Sequence, residues 1–124
     1  MQNSLLFRRG VVFPLDNDAE HALRTNVINE SHTVRCVVIP DDHVFEILWN
    51  AGFFATVSAR CDAILDDYEE GFIEERNVRF LADSIVSFSK LMTIDEPKTL
   101  QFLSELYVTI FDSTTQSRAI LLVL

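Results

Sequence analysis

The sequence predicts an α+β fold in which about four helices pack on a small sheet of about three strands that includes both chain termini. In the middle of the chain, apolar residues recur every three or four positions, which is typical of amphipathic helices. Short aliphatic or β-branched runs lie near both ends, which is typical of strands. Hydrophobic residues make up 48% of the 124 residues, enough to build one core, so we expect a single domain over residues 1–124.

Two strands are expected in the first third of the chain. Residues 4–14 contain two apolar clusters separated by Arg8, Arg9 and Gly10, and the glycine favours a bend or bulge. Residues 33–39 form a β-branched run that ends at a proline, and their almost continuous apolarity predicts a central strand. The polar stretch between these strands has room for a short helix over residues 18–24.

The spacing of apolar residues becomes helical after Pro40. Asp41 is expected to cap a helix that ends at Gly52. A second helix is expected from Phe53 through residue 70, with Gly71 ending it and residues 72–73 turning back into the core.

The last half of the chain predicts two more helices and a final strand. An amphipathic pattern covers residues 75–92, and Pro97 after two acids marks the start of a helix with apolar residues on one side up to residue 111. A polar break follows, and the run 119–124 predicts a buried third strand.

The negative charge is concentrated in one segment. The formal net charge is −9, from 19 acidic and 10 basic residues. Residues 41–75 contain ten of the acids and one base, Arg60, so the rest of the chain is electrically balanced. Such a distribution attracts cationic partners and repels nucleic acid. An acidic surface that only keeps proteins apart has the same composition, but the uneven placement favours a surface that faces a partner.

The acidic run before Gly71 is the predicted contact surface. Like charges spaced four apart, and acids near a helix C-terminus, both destabilise a helix, which indicates that this segment is kept for something other than folding. Tyr68 and Phe72 are aromatic residues among these charges, although both can instead belong to the core. The predicted partner-binding residues are Asp62, Asp66, Asp67, Tyr68, Glu69, Glu70, Glu74 and Glu75.

No catalytic residue, metal ligand or cofactor is predicted. His43 and Glu46 have helical spacing for a metal but lack a further ligand, and the acids that begin at Asp16 depart twice from a calcium loop. Cys36 and Cys61 lie among apolar residues and are expected to be core thiols. Paired carboxylates can act in a hydrolase, but consecutive acids at a helix end are normally solvated. We therefore expect a protein that is not an enzyme.

The location follows from features that the sequence lacks. Two cysteines fit a reducing compartment, no apolar run approaches the roughly 20 residues that span a bilayer, and the start lacks the pattern of a signal peptide. We therefore expect a cytoplasmic protein that does not bind membranes.

Residues 45–91 combine three features. A short helix ends in Asn50-Ala51-Gly52, a second helix closes with the acidic run of residues 64–70, and another helix covers about residues 80–91. In these features, over less than half of its length, the chain resembles the small immunity proteins of bacterial contact-dependent inhibition and polymorphic toxin systems.

The resemblance implies a cytosolic antidote that binds a cognate toxin domain, often a nuclease, and covers its active site or substrate surface. A basic toxin would complement the acidic segment. The alternative is an acidic interaction module or adaptor subunit without a toxin partner. The sequence leaves open the oligomeric state, the strand order and whether the terminal strands pair with a partner.

Overall fold

The computed structural model describes residues 9–25, 27–29, 31–61, 70–90, 96–112, 115 and 118–124. Within these residues the chain forms an α+β fold of five helices and four strands, where about four helices and about three strands were predicted. The elements in chain order are β1 (Gly10–Pro14), α1 (Asn17–Arg24), β2 (Val34–Val38), α2 (Asp42–Asn50), α3 (Phe53–Cys61), β3 (Glu70–Ile73), α4 (Val78–Ser89), α5 (Pro97–Ile110) and β4 (Ile120–Val123). A 3₁₀ turn, Glu75–Asn77, precedes α4. In this part of the chain, every helix is too short or too polar to cross a membrane.

The four strands form one antiparallel sheet in the order β2-β1-β4-β3. Gly10 lies between Val38 of β2 and Val123 of β4, and Val123 pairs in turn with Glu70 of β3. These four residues mark one end of the sheet. The first and last strands of the chain therefore lie at its centre, which confirms that the sheet includes both.

The two faces of the sheet are covered unequally. Helices α2 to α5 pack on one face, against the strand residues Val11, Phe13, Val37, Ile73, Ile120 and Leu122. On the other face the core holds only Val12 and Leu121 together with α1 and Ile28, and four strand residues there are partly buried: Val34, Cys36, Phe72 and Val123. The eight-residue helix α1 is therefore the main cover of the second face within the described residues.

The prediction of a buried final strand is confirmed, but the prediction of a central β2 is wrong. Ile120, Leu121 and Leu122 are each at most 3% exposed, because β4 is flanked by strands and covered on both faces. In β2 only Val37 is buried, and Val38 is 44% exposed. Both strands are almost continuously apolar, so apolarity alone does not show which of them is central. The central position depends on which strands, from opposite ends of the chain, pair with each other.

The predicted helix from Phe53 to residue 70 is also corrected. Helix α3 is described as far as Cys61, whose carbonyl accepts a hydrogen bond of 3.0 Å from the Asn77 side chain. Glu70–Ile73 is an edge strand and not a helix end followed by a turn. The burial pattern is that of a strand, because neighbouring side chains lie on opposite faces of the sheet. Ile73 is fully buried under the helices, whereas Phe72 lies on the other face. The remainder of the predicted helix, residues 62–69, falls outside the described residues.

Local signals at helix ends are confirmed. The Asp41 carboxylate accepts a hydrogen bond from the Val44 N–H at 2.9 Å, and Gly52 follows α2 with a φ of 82°, a conformation that glycine adopts at little cost. Pro97 is the first residue of α5. The apolar side of α5 is only partly buried, because Tyr107 and Phe111 are exposed.

Candidate functional site

Three of the eight predicted partner-binding residues, Glu70, Glu74 and Glu75, lie in β3 or directly after it. Asp62, Asp66, Asp67, Tyr68 and Glu69 lie outside the described residues. The backbone of Glu70 begins β3, while Glu74 follows the strand and Glu75 begins the 3₁₀ turn. Residues 62–69 are therefore flanked by Cys61, the last described residue of α3, and by Glu70, the first residue of the edge strand β3.

Glu70 and Glu74 belong to opposite ends of the sheet. At the strand rise of about 3.4 Å per residue, their α-carbons are roughly 13 Å apart. Glu70 pairs with Val123 at the end where Gly10 and Val38 lie, whereas Ile73, just before Glu74, pairs with Ile120 at the other end. Among the predicted residues that the structure describes, Glu70 therefore lies at one end of β3, and Glu74 and Glu75 follow its other end.

Glu74 is already bound to a base of the same chain. The Arg24 guanidinium donates to both carboxylate oxygens of Glu74 at 3.3 Å and also pairs with Glu20 at 3.5 Å. The Arg24 guanidinium also lies over the Phe72 ring, 4.9 Å from its centroid. This contact confirms that Phe72 packs within the fold. Arg24 is 50 residues from Glu74 in the sequence, so no local pattern could have predicted the ion pair.

The acids at the start of α2 are also paired. Asp42 lies 3.2 Å from the guanidinium of Arg9, which is itself buried over the Phe45 ring and donates to the Leu124 carbonyl. Asp41 lies 3.3 Å from the Lys98 ammonium. The hydrogen bond from Val44 N–H, and then the neighbouring Lys98, hold the pKa of the Asp41 carboxyl below its ordinary value.

These ion pairs change how the acidic segment is interpreted. Three of its described acids, Asp41, Asp42 and Glu74, contact bases that come from outside the segment. Glu46 is exposed on α2. Glu75 is exposed as well, and it lines a cavity of about 290 Å³ together with Arg79 and Arg118. Residues 62–69, which hold four more acids of the segment, lie outside the described residues.

The two thiols are not activated. Cys61 is 1% exposed, its Sγ lies 3.5 Å from the Asn77 carbonyl oxygen, and burial raises the pKa of the thiol to about 11. Burial also raises the pKa of Cys36. Both thiols therefore stay protonated at neutral pH, as expected for core residues. Among the described residues, no group of three or more metal-ligating side chains comes together.

One surface was missed by the sequence reading. A groove of about 490 Å³ lies between α4 and α5, and the residues that line it are Ile85, Val86, Ser89, Lys90, Leu100, Ser104 and Tyr107. On α5 the lining residues Leu100, Ser104 and Tyr107 recur at helical spacing, and Leu100 and Tyr107 belong to the apolar side of the helix that the sequence predicts. The signal was therefore visible, but a sequence does not show whether an apolar stripe is covered.

A comparison of the chain with protein-family models, curated proteins and solved structures finds no match in any of the three. A proposal for the function therefore has to rest on the residues of the chain itself.

Proposed function

We propose that this protein is an immunity-type inhibitor that binds a basic partner, a cognate toxin domain such as a nuclease, and covers its active site or substrate surface. It acts in the cytoplasm by binding and has no catalytic role or cofactor. The observation that carries the proposal is the stretch between Cys61 and Gly71, which contains five acids and no base: Asp62, Asp66, Asp67, Glu69 and Glu70.

The described ion pairs support this placement of the contact surface. Arg9, Arg24 and Lys98 are already engaged by other acids, at distances of 3.2 to 3.3 Å. Neutralising the acidic stretch with one of these bases would break an existing pair. A partner that brings its own positive charge has no such cost.

The chemistry of inhibition follows from the charge. An enzyme that cleaves nucleic acid presents a positive surface to phosphates, and closely spaced carboxylates can occupy that surface in their place. Long-range attraction speeds the encounter by about 10- to 1,000-fold at low salt. Fast capture is what an antidote needs, because a free toxin damages the cell that makes it.

A second candidate function rests on a different observation. The groove between α4 and α5 is mainly apolar, and Val86 and Tyr107 at its margin are exposed. This surface favours an adaptor that binds an apolar segment of another protein. The two candidates differ in salt dependence, since binding through the groove changes little with ionic strength whereas binding through carboxylates weakens.

The proposal is tested by recovering the partner from the native host. The tagged protein is purified at low salt, the retained proteins are identified, and each candidate is expressed in a sensitive strain with or without this chain. We expect a basic protein that stops growth when expressed alone and is tolerated when this chain is present.

The matched control is a variant that replaces Asp66 and Asp67 with Asn and Glu69 and Glu70 with Gln. It should lose most of the protection while remaining folded. Recovery of only acidic or non-toxic partners, or full protection by this variant, would contradict the proposal.

A further inference from the structure

The hydrogen bonds that β2 shares with β1 and its flanks show which backbone groups of β2 point away from the sheet. The Leu15 N–H donates to the Thr33 carbonyl and the Ile39 N–H to the Arg9 carbonyl, both at 3.0 Å. In an antiparallel ladder, alternate residues direct their backbone groups to the same neighbour. Thr33, Ile39 and the odd-numbered residues between them therefore face β1, and the backbone groups of Val34, Cys36 and Val38 point away from the sheet. Within the described residues, β2 is an edge of that sheet.

The side chains of the same three residues lie on the face that α1 covers. Val34 and Cys36 are partly buried there, and Val38 follows by alternation from the buried Val37 on the opposite face. Val38 is 44% exposed and is the only strand residue among the large exposed hydrophobic residues of the described chain. Within the described residues, this edge thus combines backbone groups that point away from the sheet with an exposed apolar side chain, that of Val38.

We propose that a second copy of this chain pairs with this edge in antiparallel orientation, about a two-fold axis at Cys36. Cys36 is the central residue of the five-residue strand. In this register, Cys36 lies opposite Cys36 of the partner subunit, and Val38 lies opposite Val34 of the partner subunit. Each outward-facing backbone group then gains a hydrogen bond, and the exposed Val38 gains an apolar neighbour.

Charge selects β2 over the other edge of the sheet. Strand β3 begins at Glu70 and is followed by Glu74 and Glu75, and Arg24 offsets the charge of Glu74 alone, so a second copy at that edge would still bring acidic residues of the two chains closer together. Strand β2 contains one charged residue, Arg35, which lies 3.3 Å from Asp112. In the proposed register, Arg35 lies opposite Val37 of the partner subunit, so the two arginines are not directly opposed.

The length of the pairing is limited on both copies. Pro40 has no N–H to donate and follows Val38 by two residues, at the next outward-facing position. Pairing of such short strands buries less than the roughly 1,200 Å² typical of stable interfaces. The dimer is therefore expected to be weak and to depend on concentration.

The oligomeric state is measured by sedimentation equilibrium from about 10 µM to about 1 mM, a range that covers weak complexes. The wild-type protein should shift from monomer to dimer, and Val38→Lys should stay monomeric. Val108→Lys is the matched control, because Val108 is 59% exposed on helix α5 and is not a strand residue, and this variant should behave like wild type. A wild-type monomer over the whole range, or a dimer that Val38→Lys leaves intact, would overturn the proposal.

A cross-linking experiment tests the register. Opposed residues of a hydrogen-bonded pair have α-carbons about 5.5 Å apart, within the range of a disulfide bond. Copper phenanthroline, which oxidises two neighbouring thiols to a disulfide, should link the wild-type protein and Cys61→Ser through Cys36. A Cys36→Ser variant should not be linked. No linkage in wild type, or linkage that persists in Cys36→Ser, would contradict the two-fold register at Cys36.

Discussion

The two cysteines have different environments although the sequence places both among apolar residues. Cys61 is buried at the end of α3 next to Asn77, whereas Cys36 is only half-buried on the less covered face of the sheet. Burial raises the pKa of both thiols, for Cys61 to about 11. The thiolate is the reactive form, and the greater exposure of Cys36 favours reaction at that residue.

Native protein at low concentration should therefore react with Ellman's reagent at Cys36 first. At pH 8 the Cys61 thiol is almost fully protonated, so its reaction should be much slower, and it should accelerate as the pH rises toward 11. The Cys36→Ser and Cys61→Ser variants assign the two phases, and unfolding in urea should make both thiols react alike. Equal rates for the two thiols in the folded protein would contradict this difference in burial.

At the level of single residues, the sequence predicts what depends on near neighbours. The cap at Asp41, the glycine at position 52 and the proline that opens α5 are confirmed, because each acts within one helical turn. The ion pairs of Arg9 with Asp42 and of Arg24 with Glu74 were not predicted. Their partners are 33 and 50 residues apart in the chain, and only the fold brings them together.

Among the elements, α1 connects one face of the sheet to the start of β4. Within the described residues it is the main cover of that face, and its Ala19, Ala22 and Leu23 are buried against it. The Asp16 carboxylate caps it by accepting a hydrogen bond of 2.7 Å from the Ala19 N–H. Arg118 and the Ala119 N–H also bind Glu20 of α1, which ties the helix to the start of β4.

Loss of this cap should destabilise the whole fold. Asp16→Ala should lower the free energy of unfolding by about 1 kcal/mol, the usual cost of removing an N-cap. Asp16→Asn should remain close to wild type, because asparagine caps helices equally well. Urea unfolding followed by circular dichroism measures both variants. Equal destabilisation by the two substitutions would show that the carboxylate acts through its charge and not as a cap.

The elements that the sequence missed were set by pairing between distant segments. Strand β3 has four residues and follows a helical pattern, so its alternation is too short to be recognised. Its pairing with β4 makes it a strand. Likewise, β2 and β4 have similar composition, and only the order of the strands makes one an edge and the other central.

At the scale of the whole molecule, the α+β class follows from composition and periodicity, but the charge distribution needed the structure. The sequence assigns the entire excess of −9 to residues 41–75. The fold then pairs Asp41, Asp42 and Glu74 with bases from other parts of the chain. Four further acids of this segment, Asp62, Asp66, Asp67 and Glu69, lie outside the described residues, so the contact surface between α3 and β3 stays a prediction from the sequence.

The central claim is that these carboxylates, and not the net charge alone, direct the docking of a basic partner. Two variants distinguish the effect of these carboxylates from the effect of net charge, because each removes four negative charges but at different positions. One carries Asp66→Asn, Asp67→Asn, Glu69→Gln and Glu70→Gln. The other changes four acids outside the segment: Asp18→Asn, Asp83→Asn, Glu96→Gln and Glu105→Gln.

The most direct test is the association rate of each variant with the recovered partner, measured by stopped flow at low and high salt. The first variant should associate roughly 10-fold or more slowly at low salt and lose most of its dependence on ionic strength. The second should remain close to wild type. Equal rates and equal salt dependence for the two variants would contradict the claim.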